Sequence, residues 1–155
     1  MDLVRILLLV FARAACFACA FVAIAMYPID HDASAISTTI FLLSWIASGL
    51  ECLLSGMYLC GLLMQNPLPH THLRVCAVLI YIEWLIAFQT AGSGSAAIMT
   101  TKIAMSNNVH MNNYKKTMKY SIFVFAAGVF GLVSAFFNVI LAKILRHPPH
   151  ANHPQ

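Results

Sequence analysis

Apolar residues run almost unbroken through four stretches of the chain, at about 3–27, 38–64, 75–104 and 120–144, with polar residues gathered between them. Each stretch is long enough to cross a hydrocarbon core of about 30 Å as a helix rising about 1.5 Å per residue. The interruptions have the composition of helix stops: Pro28-Ile29-Asp30-His31-Asp32, then Gln65-Asn66-Pro67-Leu68-Pro69-His70, then Ser106-Asn107-Asn108 through Lys119. The third stretch closes on Thr100-Thr101-Lys102, polar enough to reach the interface. The pattern predicts an all-α fold: a four-transmembrane-helix bundle over residues 1–146 and a disordered His- and Pro-rich tail at 147–155.

Composition fits that reading. Of 155 residues, 61% are hydrophobic and 9% charged, and the mean hydropathy is +0.80. Too few polar residues remain to cover a surface in water, so the lipid bilayer is the partner this surface calls for. The net charge of +4 sits mainly at segment ends and forms no stripe for nucleic acid. Ala18-Cys19-Ala20 resembles a signal-peptide cleavage site. However, Arg13 interrupts the core such a peptide needs and the apolar run continues to Met26, so the segment is expected to stay as a helix. Charge bias leaves orientation open: Arg5, Arg74, Lys143 and Arg146 on one side balance Lys102, Lys115, Lys116 and Lys119 on the other.

Three charges inside the apolar stretches carry most of the information: Arg13, Glu51 and Glu83. A charge deep in a bilayer costs several kcal/mol and takes a partner or a wet cavity. Arg13 lies roughly 15 Å into the first helix and Glu83 roughly 13 Å into the third, which runs in the same direction. The two are therefore expected at similar depth, as an intramembrane ion pair. Glu51, in the middle of the second stretch, is an additional buried acid. One cation cannot neutralise two carboxylates, so one acid is expected to be protonated, and Glu51 is the better candidate. These charges read as a clasp fixing helix register, as a proton or ion pathway, or as a contact with a partner subunit.

Small residues recur at four-residue spacing: Ala12, Cys16, Ala20 and Ala15, Cys19, Ala23; Ser48, Cys52, Gly56, Cys60; Ala87, Ala91, Ser95; Ala127, Gly131, Ala135. Such faces let backbones approach where lipid removes the hydrophobic drive between helices. Gly56, Gly92, Ser95, Gly131 and Ala135 are the packing positions this predicts, within one bundle or between copies.

Other chemistry finds little support. His31, His70, His72 and His110 fall between the stretches and His147, His150 and His153 in the tail, so no axial haem ligand is expected within a helix. The tail histidines recur every third residue, a spacing that aligns them in polyproline geometry, but a solvated tail is expected rather than a metal site. Cys16-x-x-Cys19 lies in an apolar helix, where packing outweighs redox use. Gly92-Ser93-Gly94-Ser95 follows no strand and holds no Lys, so it is no phosphate loop. No catalytic residue, metal or cofactor is assigned.

Two helices carry a resemblance. Arg13-Ala14-Ala15 with Ala23-Ile24-Ala25-Met26, and Glu83-Trp84-Leu85 with Thr90 through Ala97 and Ile103-Ala104, resemble the first and third helices of the Casparian strip membrane proteins and their CASP-like relatives. Ser121-Ile122 and Ser134-Ala135 fit the fourth helix more loosely. The resemblance implies a MARVEL-related four-helix scaffold in a plant plasma membrane, with both termini and the tail cytoplasmic. It also implies association with itself and with related family members into platforms that guide local cell-wall modification. The family's pair is an Arg in helix one and an Asp in helix three; here these positions are Arg13 and Glu83, and Glu51 is an acid outside the family pattern. The expectation is thus a non-enzymatic, self-associating scaffold. The alternatives are a small proton- or ion-conducting protein and an accessory subunit of a larger membrane complex.

Overall fold

A computed structural model of the chain describes residues 2–27, 35–63, 73–107 and 114–146. They form four helices: α1 (Asp2–Ala25), α2 (Ala35–Leu63), α3 (Leu73–Ser106) and α4 (Tyr114–Arg146). The turns expected at 28–32 and 65–70, the tail at 147–155, every histidine and the Cys76 side chain lie outside the described residues.

Helix α4 begins at Tyr114, earlier than the apolar pattern placed it, so Tyr114–Lys119 is helix and not loop. Hydropathy marks the part of a helix that lipid can cover. Lys115, Lys116, Met118 and Lys119 are good helix formers that continue the helix beyond it. Among the described residues, three helices are long and apolar enough to cross a membrane, through Ile6–Ala25, Thr39–Cys60 and Lys115–Ile140. Helix α3 is the longest, at 34 residues; it is apolar through Phe88 and more polar beyond. Gln89, Thr90, the Gly92–Ser95 run and Thr100-Thr101-Lys102 dilute it.

The helices pack in a ring, each against its neighbours in sequence, with α4 closing back onto α1. Helices α2 and α4 also touch across the short diagonal, whereas α1 and α3 make no direct backbone approach among the described residues. Side-chain contacts fix an up-down-up-down course. Cys16 and Ala23 of α1 meet α4 near Ala127 and Tyr120, and Ala87, Ala91 and Gly94 of α3 meet Gly131, Gly128 and Phe125 in reversed order.

Buried positions step by three and four along every helix, the period of a bundle seam. In α3 they are Glu83, Ala87, Thr90, Gly94, Ala97 and Thr101; in α2, Ser44, Ser48, Glu51 and Ser55. The interior is small or hydroxyl-bearing, while Leu3, Phe11, Phe21, Leu53, Met57, Phe88 and Phe136 point outward. That inversion is unstable in water and suits a lipid surround. Interior hydroxyls bond to their own helix: Ser48 to the Ser44 carbonyl at 2.9 Å, Thr90 to Ile86 at 2.8 Å, Thr101 to Ala97 at 2.7 Å, Ser121 to Thr117 at 2.9 Å. Burying these four therefore strands no donor.

The closest backbone approach is between α3 and α4. A Cβ on Gly128 would collide with the Ala91 backbone, and one on Gly94 would lie 2.6 Å from the Phe125 nitrogen. Gly131 and Ala135 are buried, as the small-residue pattern expects, and Gly56 faces the Phe17 ring. Gly92 and Ser95 depart from it. Both are exposed, and nothing lies within 4 Å of a Cβ built on Gly92. At about 100° per residue, Gly92 and Ser95 are turned roughly 140° and 80° from the buried Ala87. The inner face of α3 turns instead through Gly94 and Ala97.

At the end where α1 finishes and α4 starts, Tyr27, Phe41 and Tyr120 cluster on Ala23 and Val124. The Tyr120 hydroxyl lies 2.7 Å from Ser44 Oγ and donates to the Phe41 carbonyl at 3.2 Å. An amphipathic aromatic set of this kind suits a membrane interface.

Candidate functional site

Among the described residues the interior contains one knot of charge. Arg13 shares the inner face of α1 with Leu9, Cys16 and Ala20; Glu83 opens the inner face of α3; Glu51 sits mid-way along that of α2. All three are fully buried. Arg13 and Glu83 stand on the two helices whose backbones do not approach each other. Two extended side chains span that gap, and Arg13 Nη2 donates to Glu83 Oε1 in an ion pair across the long diagonal.

The surroundings favour this partner. Glu83 Oε2 accepts from Asn138 Nδ2 at 2.9 Å, and Ser134 Oγ, which donates to the Gly131 carbonyl at 2.9 Å, lies 3.4 Å from Oε1. Asn138 and Ser134 lie one turn apart on α4, so the carboxylate is held from two helices. The Arg13 guanidinium lies over the Tyr58 ring of α2, 4.0 Å from its centroid. A cation placed over an aromatic face gains further electrostatic stabilisation when desolvated. The pair thus ties all four helices: Arg13 from α1, Tyr58 from α2, Glu83 from α3, Ser134 and Asn138 from α4.

No family profile, curated protein or solved structure matches the chain.

Glu51 is placed differently. Cys16 Sγ donates to its Oε1 at 3.2 Å, and the same thiol lies 3.3 Å from the Ala127 carbonyl. Glu51 Oε1 occupies the space a side chain on Gly131 would need, so this carboxyl rests directly on the α4 backbone. Among the described residues its Oε2 has no hydrogen-bond partner, nor have Ser55 Oγ, Arg13 Nε and Arg13 Nη1. Of the two acids, Arg13 engages Glu83. Chemically, the arrangement cancels one positive and one negative charge in a region where neither is affordable alone.

Of the residues singled out from sequence, Arg13, Glu83 and Glu51 come together with Gly131, while Gly92 and Ser95 lie on the outer surface and Gly56 and Ala135 pack elsewhere in the bundle. Tyr58, Ser134 and Asn138 were not anticipated. Asn138 had a visible signal, a carboxamide inside the apolar run Phe136–Ile140, with Ser134 one turn before it. Tyr58 follows Glu51 and Ser55 at the seam spacing, but an aromatic residue there gives no sign of a cation above it. Among the described residues no three of His, Cys, Asp and Glu gather as metal ligands.

Proposed function

We propose that this chain is a four-pass plasma-membrane protein of the CASP-like kind, with both termini cytoplasmic, acting as a non-enzymatic scaffold. In this reading it associates with itself and with related chains into membrane platforms linked to local modification of the cell wall. Helix α3 is the fourth crossing. It is supported there by its place between α2 and α4, both apolar enough to span, and by a length of about 50 Å.

The observation that carries the reading is the Arg13–Glu83 pair across the bundle. It is the residue pair the resemblance turns on, and it spends the interior charge on holding helices together. Crosslinking followed by pull-down from native membrane tests the proposal. A scaffold returns the chain crosslinked to itself and to relatives of its own size. An accessory subunit returns a fixed set of unrelated larger chains and no self-crosslink, which would defeat the scaffold reading.

A second reading, proton or ion passage, draws on the unpaired buried atoms beside Glu51. Purified chain in vesicles that dissipates an imposed pH gradient, with Glu51→Gln abolishing the leak, would favour it.

A further inference from the structure

Helix α3 is buried on one side through Glu83, Ala87, Thr90, Gly94, Ala97 and Thr101. At about 100° per residue, Gly92 falls on the opposite side. Leu85, Phe88, Gln89, Ser95 and Met99 share that outer face, all exposed, and around Gly92 there is open space. One residue stands out on this face. Gln89 lies beside residue 88, the midpoint between the flanking cations Arg74 and Lys102, and so close to the bilayer centre. Among the described residues its carboxamide has no hydrogen-bond partner. An amide donor and acceptor facing hydrocarbon is costly, and interhelical hydrogen bonding relieves that cost.

We propose that the outer face of α3 around Gln89 and Gly92 is the surface on which a second copy of this chain docks. The carboxamide names the occupant. It carries both a donor and an acceptor, so a two-fold axis along the membrane normal brings Gln89 of each copy against its own counterpart and satisfies both. All copies inserted in one orientation share that axis. Gly92, one turn further on, has no side chain to hold the two backbones apart, and Ser95 continues the low surface. Phe88, Leu85 and Met99 flank the contact with apolar area. Other helices expose large apolar side chains that lipid already satisfies, and they offer no such reason for contact.

This inference rests on the self-association proposed above, and the test separates the two. Energy transfer is measured between donor- and acceptor-labelled full-length chain in phosphatidylcholine vesicles over a range of protein densities. Wild type is expected to associate. Gln89→Leu is expected to raise the dissociation constant about tenfold, and Gly92→Ile at least as much, while Gln89→Asn keeps most of the affinity by retaining a carboxamide. Each variant's thermal transition is expected to match wild type, because both positions face outward. If Gln89→Leu and Gly92→Ile associate as wild type does, this face is not the interface and self-association stands. If wild type shows no transfer at any density, both ideas fail together.

Discussion

Replacing Arg13 with Leu removes the cation of the interior knot and nothing else of similar charge can take its place. Among the described residues Glu83 would remain buried with Asn138 at 2.9 Å as its donor and the Ser134 hydroxyl 3.4 Å away. Removing one partner of a buried pair costs about 3–5 kcal/mol, because the other charge is left uncompensated. Loss of the guanidinium from the Tyr58 face adds roughly 0.5–2 kcal/mol. Against a net stability of about 5–15 kcal/mol, such a loss is large enough to deplete the folded protein. Glu83→Gln is expected to cost less, since the Gln carbonyl still accepts from Arg13 and Asn138 can turn its own carbonyl oxygen to accept from the new amide. The assay is accumulation of full-length protein at the membrane, paired with thermal unfolding of purified protein in lipid. Arg13→Leu should lower both sharply, Glu83→Gln moderately, and Arg13→Leu with Glu83→Leu should recover part of the loss because no lone charge remains. Normal accumulation and an unshifted transition for Arg13→Leu would refute the reasoning. So would a double variant showing the sum of the two single losses, since residues in contact must couple.

Three further outcomes follow from the same geometry. Asn138→Leu strips the donor from Glu83 Oε2 and should lower bundle stability by about 1–3 kcal/mol in the thermal assay, whereas Asn138→Gln should lose less. Glu51→Gln keeps the shape of a carboxyl whose only hydrogen-bonding neighbour among the described residues is the Cys16 thiol, and should leave accumulation unchanged if that carboxyl is uncharged in the fold; a loss equal to that of Arg13→Leu would show that its charge is needed. Gly128→Val drives a side chain into the Ala91 backbone and should cost about 1–3 kcal/mol or more by overpacking, while Gly92→Ala should stay within about 0.5 kcal/mol in unfolding measurements.

The sequence made the helices and the charged residues legible for one reason: lipid tolerates long apolar runs and penalises charge within them. Counting residues from the flanking cation was enough to set Glu83 at the depth of Arg13. It was not enough to show that the two stand on opposite corners of the ring, because depth along a helix carries no information about which helices neighbour each other. Small residues misled in α3. A glycine or serine in a helix looks the same whether it faces a neighbour or the lipid, and only the burial of Gly94 and Ala97 reveals that Gly92 and Ser95 turn away. The early start of α4 was hidden because lysines end an apolar run without ending a helix. Tyr58 and Asn138 complete the knot through contacts between helices distant in sequence, which no local pattern encodes.

The central claim is that Arg13 and Glu83 touch inside the folded bundle. Solid-state NMR on lipid-reconstituted protein, with nitrogen-15 in the Arg13 guanidinium and carbon-13 in the Glu83 carboxylate, measures that contact through their dipolar coupling. A coupling strong enough for direct hydrogen bonding, lost in Glu83→Ala, is the result expected. No coupling between them, in protein that is folded and in bilayers, would contradict the account.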